Sequence, residues 1–314
     1  MRRRGSVLRT LAVLLVLGLA AACGEPNSER DASQQPQGAT LRVTIGTQEF
    51  PEALVLGELW KQALAVNGYA VNLRKAVGPA EDLDAALRAG EVDGYVAYTG
   101  TVLSIAAGED VVGLDPDETY DRVRDYYLGE NMVVSEQTPY ENKDAIAVTD
   151  AYAEENGLES IADLADLDSV RMAARPEFED LDLGLTGLQD VYGLDNVEFS
   201  PAELGEQYAL LDDGEADAVD AFTTDPQLRG GEYTLLEDPE LLFGSQNVVM
   251  VVDEDKLDSI DSEAFMNVVD TVNSKLTEDT MVELNAEVTD GRSEADVARS
   301  FLRSVDLMTP LRRD

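Results

Sequence analysis

Two distant stretches of this chain spell nearly the same unit, and that repetition constrains the fold more than any other feature. The stretch Ala86 to Thr99 (ALRAGEVDGYVAYT) and the stretch Ala209 to Thr223 (ALLDDGEADAVDAFT) share Gly, Glu, Asp, Ala, an aromatic and Thr in order, with one residue inserted. Each reads as a helix end, a glycine stop, an acidic turn, a buried strand, and then an aromatic and a threonine at the strand's carboxyl end. Open α/β sheets bind ligands beyond the carboxyl ends of their strands, so each copy offers a ligand-facing rim, Tyr98-Thr99 or Phe222-Thr223. Helix–glycine–strand turns recur in any α/β protein, which is the plainer account of the echo. Two related lobes facing each other across a cleft is the more specific one.

The flanking pattern agrees. Leu41 to Gly46 alternates as a strand, and Pro51-Glu52 opens a helix whose Leu56, Leu59, Trp60, Ala63 and Leu64 form one apolar stripe up to Gly68. Trp60 on that stripe is expected in the core. A strand at 71–77, a helix at 79–89 and a strand at 92–98 complete a βαβαβ series with parallel neighbours. Alternation resumes at 145–149 and continues through 160–167, 170–174, 185–192, 202–211 and 216–222. Another apolar strand is expected at 248–252, and helices at 262–275, 278–287 and 294–305 close the chain.

Composition removes whole classes of chemistry. The 314 residues include no histidine and one cysteine. That excludes Ser-His-Asp and Cys-His catalysis, His-ligated or Cys-rich metal sites, and an intramolecular disulfide. With 64 Asp+Glu against 23 Lys+Arg, the formal net charge is −41, and a field of that sign repels phosphates, so no nucleic-acid partner is expected. An acidic, lysine-poor surface suits high salt, where self-repulsion is screened; a charge excess that merely aids solubility is the other reading. The acidic run 212–217 lacks the spacing of a calcium loop and falls on a helix–strand turn. No metal or cofactor is expected.

The first residues read as an address. Arg2, Arg3, Arg4 and Arg9 precede an apolar run from Leu11 to Ala22 that is too short for a comfortable span. Cys23, the sole cysteine, follows directly and resembles the lipid-accepting cysteine of a bacterial lipobox, although Ala20 stands where such boxes usually carry Leu. Residues 1–22 are thus expected to be a lipoprotein signal peptide and residues 23–40 a flexible tether holding the rest at a membrane surface.

From residue 41 onward the chain resembles the substrate-binding lipoproteins of ABC importers for osmoprotectants such as glycine betaine, choline and carnitine. The resemblance is carried by Ile45 to Glu52 (IGTQEFPE), Leu56 to Leu59, Gly90 to Asp93, Tyr98 to Thr101 and Ser160 to Leu164. It continues through Pro176 to Phe178, Gly187-Leu188, Tyr192-Gly193, Phe222 to Asp225 and Leu235 to Asp238. It implies an α/β chain with a two-lobed, type II periplasmic-binding-protein-like fold: two α/β domains joined by a hinge of two crossovers, with the ligand cleft between them. Lobe 1 would be 41–143 plus 248–314 and lobe 2 would be 144–247. The implied function is an extracytoplasmic, lipid-anchored receptor that delivers a quaternary ammonium osmolyte to permease and ATPase subunits, without catalysis.

In that family a trimethylammonium group sits among aromatic rings. Carried over position by position, Tyr98 matches a cage tyrosine and Thr101 a hydroxyl three residues later, while Phe222 keeps a cage ring without its hydroxyl. Asp144 falls where a third ring is usual and Gln246 where a fourth is. Gln48 replaces a lysine, and Leu181 an arginine, that hold a ligand carboxylate. With rings reduced and an acid added, these departures favour a choline-like cation, or an amine outside the usual set, over a zwitterion, Asp144 meeting a cation, a donor or water, with Tyr140 a further ring candidate. Two other classes remain open: a carboxylate-based lyase or dehydratase using Asp144 or Glu49 as base, and a tethered sensor on the same scaffold.

Overall fold

The computed structural model describes residues 42–311. The expected signal peptide, Cys23 and the expected tether, together with Arg312 and Arg313, lie outside the described residues. Among the described residues there are ten strands: β1 (Arg42–Gly46), β2 (Ala70–Arg74), β3 (Gly94–Tyr98), β4 (Met132–Val134), β5 (Asp144–Thr149), β6 (Val170–Ala174), β7 (Val197–Pro201), β8 (Ala218–Phe222), β9 (Tyr233–Leu235) and β10 (Val248–Asp253). They form two five-stranded sheets, ordered β2-β1-β3-β10-β4 and β7-β6-β8-β5-β9.

The sheets are built alike. β3 runs parallel to β1 and antiparallel to β10; β8 runs parallel to β6 and antiparallel to β5. The repeated sequence unit therefore supplies the central strand of each sheet. Its glycine stops, Gly90 and Gly214, sit at φ 69° and 68°, the left-handed geometry that only glycine adopts cheaply. Its aspartates do the same work twice. Asp93 Oδ2 accepts the Thr44 amide at 2.7 Å and Asp217 Oδ2 the Arg171 amide at 2.9 Å, each fastening the turn to the neighbouring parallel strand. Asp217 is also ion-paired to Arg171, and among the described residues no group of three or more His, Cys, Asp or Glu side chains is arranged for a metal.

Expectation of parallel neighbours holds for three strands of each sheet; the fourth, β10 or β5, runs the opposite way, and the edge strand, β4 or β9, pairs antiparallel with it. The cause is the route of the chain. β5 and β10 each enter their sheet directly from a crossover, so each begins at the cleft, where the central strand ends: Asp144 pairs with Phe222 and Val248 with Tyr98. The crossovers pair with each other through an antiparallel bridge between Glu141 and Asn247.

Alternation along the strands divides the core. Val96, Tyr98, Val248, Met250 and Val252 face one cluster, while Tyr95, Ala97, Val249 and Val251 face the other, as the two-residue period of a sheet buried on both faces requires. Trp60 is fully buried in the first cluster, as its stripe predicts, and its Nε1 donates to Asn273 Oδ1 at 2.9 Å. The second sheet has its own clusters, one around Ile146, Val148 and Met172 and one around Ala147, Val219 and Ala221. The helix Pro116–Leu128 and the short strands β4, β7 and β9 are not among the expected elements, although the helix carries a start signal in Asp115-Pro116-Asp117-Glu118, where Asp115 Oδ1 accepts the Glu118 amide at 2.8 Å. Among the described residues no helix is long and apolar enough to cross a membrane.

Candidate functional site

A cavity of about 630 Å³ opens where the carboxyl ends of β3 and β8 meet, and Gln48, Tyr98, Thr101, Asp144, Phe222 and Gln246 all line it. That volume lies within the usual range for small-molecule sites. The fold delivers each residue by a distinct route. Tyr98 and Phe222 end equivalent strands, and Asp144 begins β5. Thr101 lies in the turn after β3, where its amide and Oγ1 both donate to Gln246 Oε1, at 3.0 and 3.2 Å. Gly100 makes that contact feasible: a Cβ there would stand 2.5 Å from the Ser245 carbonyl oxygen. Gln48 Oε1 is buried without a partner.

The structure changes the reading of Asp144. Its carboxylate is not free: Arg175 Nη1 lies 2.6 Å from Asp144 Oδ1 and 2.7 Å from Asp220 Oδ2. Burial raises the Asp144 carboxyl while Arg175 pulls it back down. The same contest leaves Asp220 pushed up to about 6, again with burial as the larger cause. The Arg175 guanidinium also stacks 5.2 Å from the Phe178 ring centre and 5.4 Å from that of Phe222. An arginine does stand in this part of the cleft, six positions before Leu181, but two aspartates hold it. Leu181 is exposed and does not line the cavity.

The cavity also has more rings than the sequence comparison yields. Phe50 and Phe243 join Tyr98 and Phe222 in its lining, with the Phe50 and Tyr98 ring centres 5.9 Å apart. Phe50 falls within the stretch Ile45 to Glu52 and Phe243 three residues before Gln246, yet their spacing carries no sign of convergence, because the loops that hold them are set by tertiary packing. Tyr140 does not line the cavity; it is buried beneath it. Glu49 is exposed and outside the lining, so of the two candidate bases only Asp144 touches the cavity.

A residue that pattern reading places only in a helix start sits at the centre of the hydrogen-bonding. Glu52, in the first turn of the helix Pro51–Val66, is 2% exposed. Its Oε1 accepts from the hydroxyl of Tyr98 at 3.0 Å, the hydroxyl of Tyr140 at 3.2 Å and Asn142 Nδ2 at 3.1 Å. Its Oε2 accepts from Asn285 Nδ2 at 3.0 Å, and the same nitrogen reaches the Thr224 carbonyl at 3.0 Å. Burial, with the Glu52 charge adding to it, keeps both tyrosine hydroxyls protonated far above their ordinary range. Asp225 also lines the cavity, accepting the Phe222 amide at 3.0 Å and the Tyr208 hydroxyl at 2.8 Å, its carboxyl raised by burial. The basic side chain of the lining, Lys143, is 2.7 Å from Glu141.

Comparison with known proteins agrees with this arrangement. The chain is 27% identical over 285 residues to a glycine-betaine-binding protein of Pseudomonas aeruginosa, covering 87% of this chain and 90% of that one. It is 23% identical over 312 residues to the ergothioneine transport permease/ergothioneine binding protein of Helicobacter pylori, covering 98% of this chain and 54% of that longer protein. Among solved structures it superposes on a glycine betaine/carnitine/choline ABC transporter protein with a TM-score of 0.79 at 21% identity, covering 85% of this chain and 99% of the other. That likeness places the fold with the two-lobed, type II binding proteins. The profile of substrate-binding domains of ABC-type glycine betaine transport systems matches residues 42–304. The chain belongs to that family, whose members are solute-binding receptors.

Proposed function

We propose that this chain captures a small quaternary ammonium cation outside the cytoplasmic membrane and presents it, closed, to an ABC permease. The observation that carries the reading is the character of the cavity: four aromatic rings and the carboxylates of Glu52, Asp144 and Asp225, with Lys143 already bound to Glu141. Rings and net negative charge suit a cation without N–H groups. A ligand carboxylate has no free basic partner, because Arg175 is shared between two aspartates. A choline-like ligand therefore fits better than glycine betaine.

Capture would be followed by closure about the two crossovers, with 41–143 plus 248–314 moving against 144–247. Closure needs contacts from both lobes that the open form lacks, and Asn285, which holds Glu52 and the Thr224 carbonyl together, is one. ATP hydrolysis belongs to other subunits, since this chain carries no GxxxxGK[ST] loop. Cys23 would anchor the receptor through lipid; a Cys23→Ser chain should then leave the membrane fraction.

Titration calorimetry of residues 24–314 with choline, glycine betaine, carnitine and ergothioneine tests the ligand. Choline binding at least ~10-fold tighter than glycine betaine is expected, with the ligand recovered unchanged. Tighter glycine betaine binding would sink the charge argument. Ergothioneine joins the panel for two reasons: the cavity, at about 630 Å³, exceeds what choline alone fills, and one relative is named for that ligand.

A further inference from the structure

The carboxylates of the cavity differ in what neutralises them. Asp144 has Arg175. Asp225 is pushed toward its protonated form by burial, and the charges of Glu52 and Asp144 add to that push. Glu52 is held by four neutral donors and, among the described residues, has no cation within ion-pair distance; Lys61 and Lys75 pair instead with Glu58. Its position in the first turn of a 16-residue helix adds the favourable end of the helix dipole.

The geometry points to Glu52 as the residue that sets charge specificity: it places the ligand's cationic head against Tyr98 and Phe50 rather than beside Asp144, which Arg175 already neutralises. This rests on the ligand reading above and adds to it an orientation and a selection rule. Three donors already occupy Oε1 and a fourth occupies Oε2, at 2% exposure. The carboxylate thus offers the cavity its field and little free acceptor capacity. A quaternary ammonium needs only the field. A primary ammonium must replace its hydrogen bonds with water, and this carboxylate has committed its own acceptors, so the unpartnered carbonyl oxygens of Gln48, Asn142 and Asn285 would have to supply them. The Tyr98 hydroxyl, fixed on Glu52, in turn holds its ring in place for the cation.

The test compares choline with its neutral isostere 3,3-dimethyl-1-butanol and with ethanolamine, by titration calorimetry on the unchanged protein and on Glu52→Gln. The unchanged protein should prefer choline to the neutral isostere and to ethanolamine by roughly tenfold or more. In Glu52→Gln the preference over the neutral isostere should collapse while affinity for the isostere stays within about twofold; a merely structural role would weaken both alike. Should Glu52→Gln not fold, a crystal structure of the unchanged protein with choline decides. The nitrogen is expected within ~6 Å of the Tyr98 ring centre. A nitrogen beside Asp144, or an undiminished preference in Glu52→Gln, overturns the assignment. An unchanged protein that binds no quaternary ammonium ion overturns the ligand reading itself, which is a separable result.

Discussion

Arg175 Nη1 sits 2.6 Å from Asp144 Oδ1 and 2.7 Å from Asp220 Oδ2, so one guanidinium holds together the first residue of β5 and an interior residue of β8. Asp220 is fully buried and Arg175 nearly so. Replacing Arg175 by Met would leave two carboxylates close together in low dielectric without their cation. The expected cost is about 3–5 kcal/mol of stability, read from urea unfolding midpoints. A loss below about 1 kcal/mol would mean that water already carries the pair.

The same cluster predicts a pH dependence. The Asp220 carboxyl is raised from 3.8 to about 6, chiefly by burial. Folding therefore favours the protonated acid. The stability this contributes is fully present below about pH 4 and is lost as pH rises through about 6. At ~1.4 kcal/mol per unit, the loss is at most about 3 kcal/mol, shared with the coupled Asp144. Asp220→Asn should flatten the stability curve between about pH 4 and 6.5; an unaltered slope there would assign the titration to other groups.

Each ring of the cavity should count separately. Tyr98→Ala, Phe222→Ala and Phe50→Ala are each expected to weaken binding of a quaternary ammonium ligand by about 0.5–2 kcal/mol, roughly 2- to 30-fold. Tyr98→Ala should fall at the upper end, because it also removes a donor from Glu52. Calorimetry with choline measures this, and unaltered affinity in all three would exclude the rings from ligand contact.

Gly100 carries a steric prediction. An added Cβ would lie 2.5 Å from the Ser245 carbonyl oxygen and 3.1 Å from the Gln246 side-chain amide. Gly100→Ala must push the returning crossover away from the turn after β3. The expected cost is about 1–3 kcal/mol in stability, with weaker ligand binding through the lost Thr101–Gln246 contact. Thermal unfolding and calorimetry on the same sample separate the two effects.

Much of this molecule is legible in the sequence because local chemistry fixes it. The two Gly-Glu-X-Asp turns foretell two equivalent sheets, since glycine adopts their left-handed stop cheaply and each aspartate accepts an amide of the neighbouring parallel strand. The stripe containing Trp60 foretells the buried face of the helix Pro51–Val66. Ordered local resemblances bring Gln48, Tyr98, Thr101, Asp144, Phe222 and Gln246 into one list, and all six line one cavity.

What tertiary structure alone decided is who partners whom. Arg175 lies 31 positions from Asp144 and 45 from Asp220; Glu52 gathers donors 46, 88, 90 and 233 positions away. No periodicity encodes such separations. They follow from packing: β8 between β6 and β5 gathers Asp220, Arg175 and Asp144, while β3, the 140–142 crossover and the helix Glu278–Thr289 converge on Glu52. Sequence determines which side chains can carry charge or a ring. Folding determines which charges are neutralised in the dry interior, and hence which remain to act on a ligand.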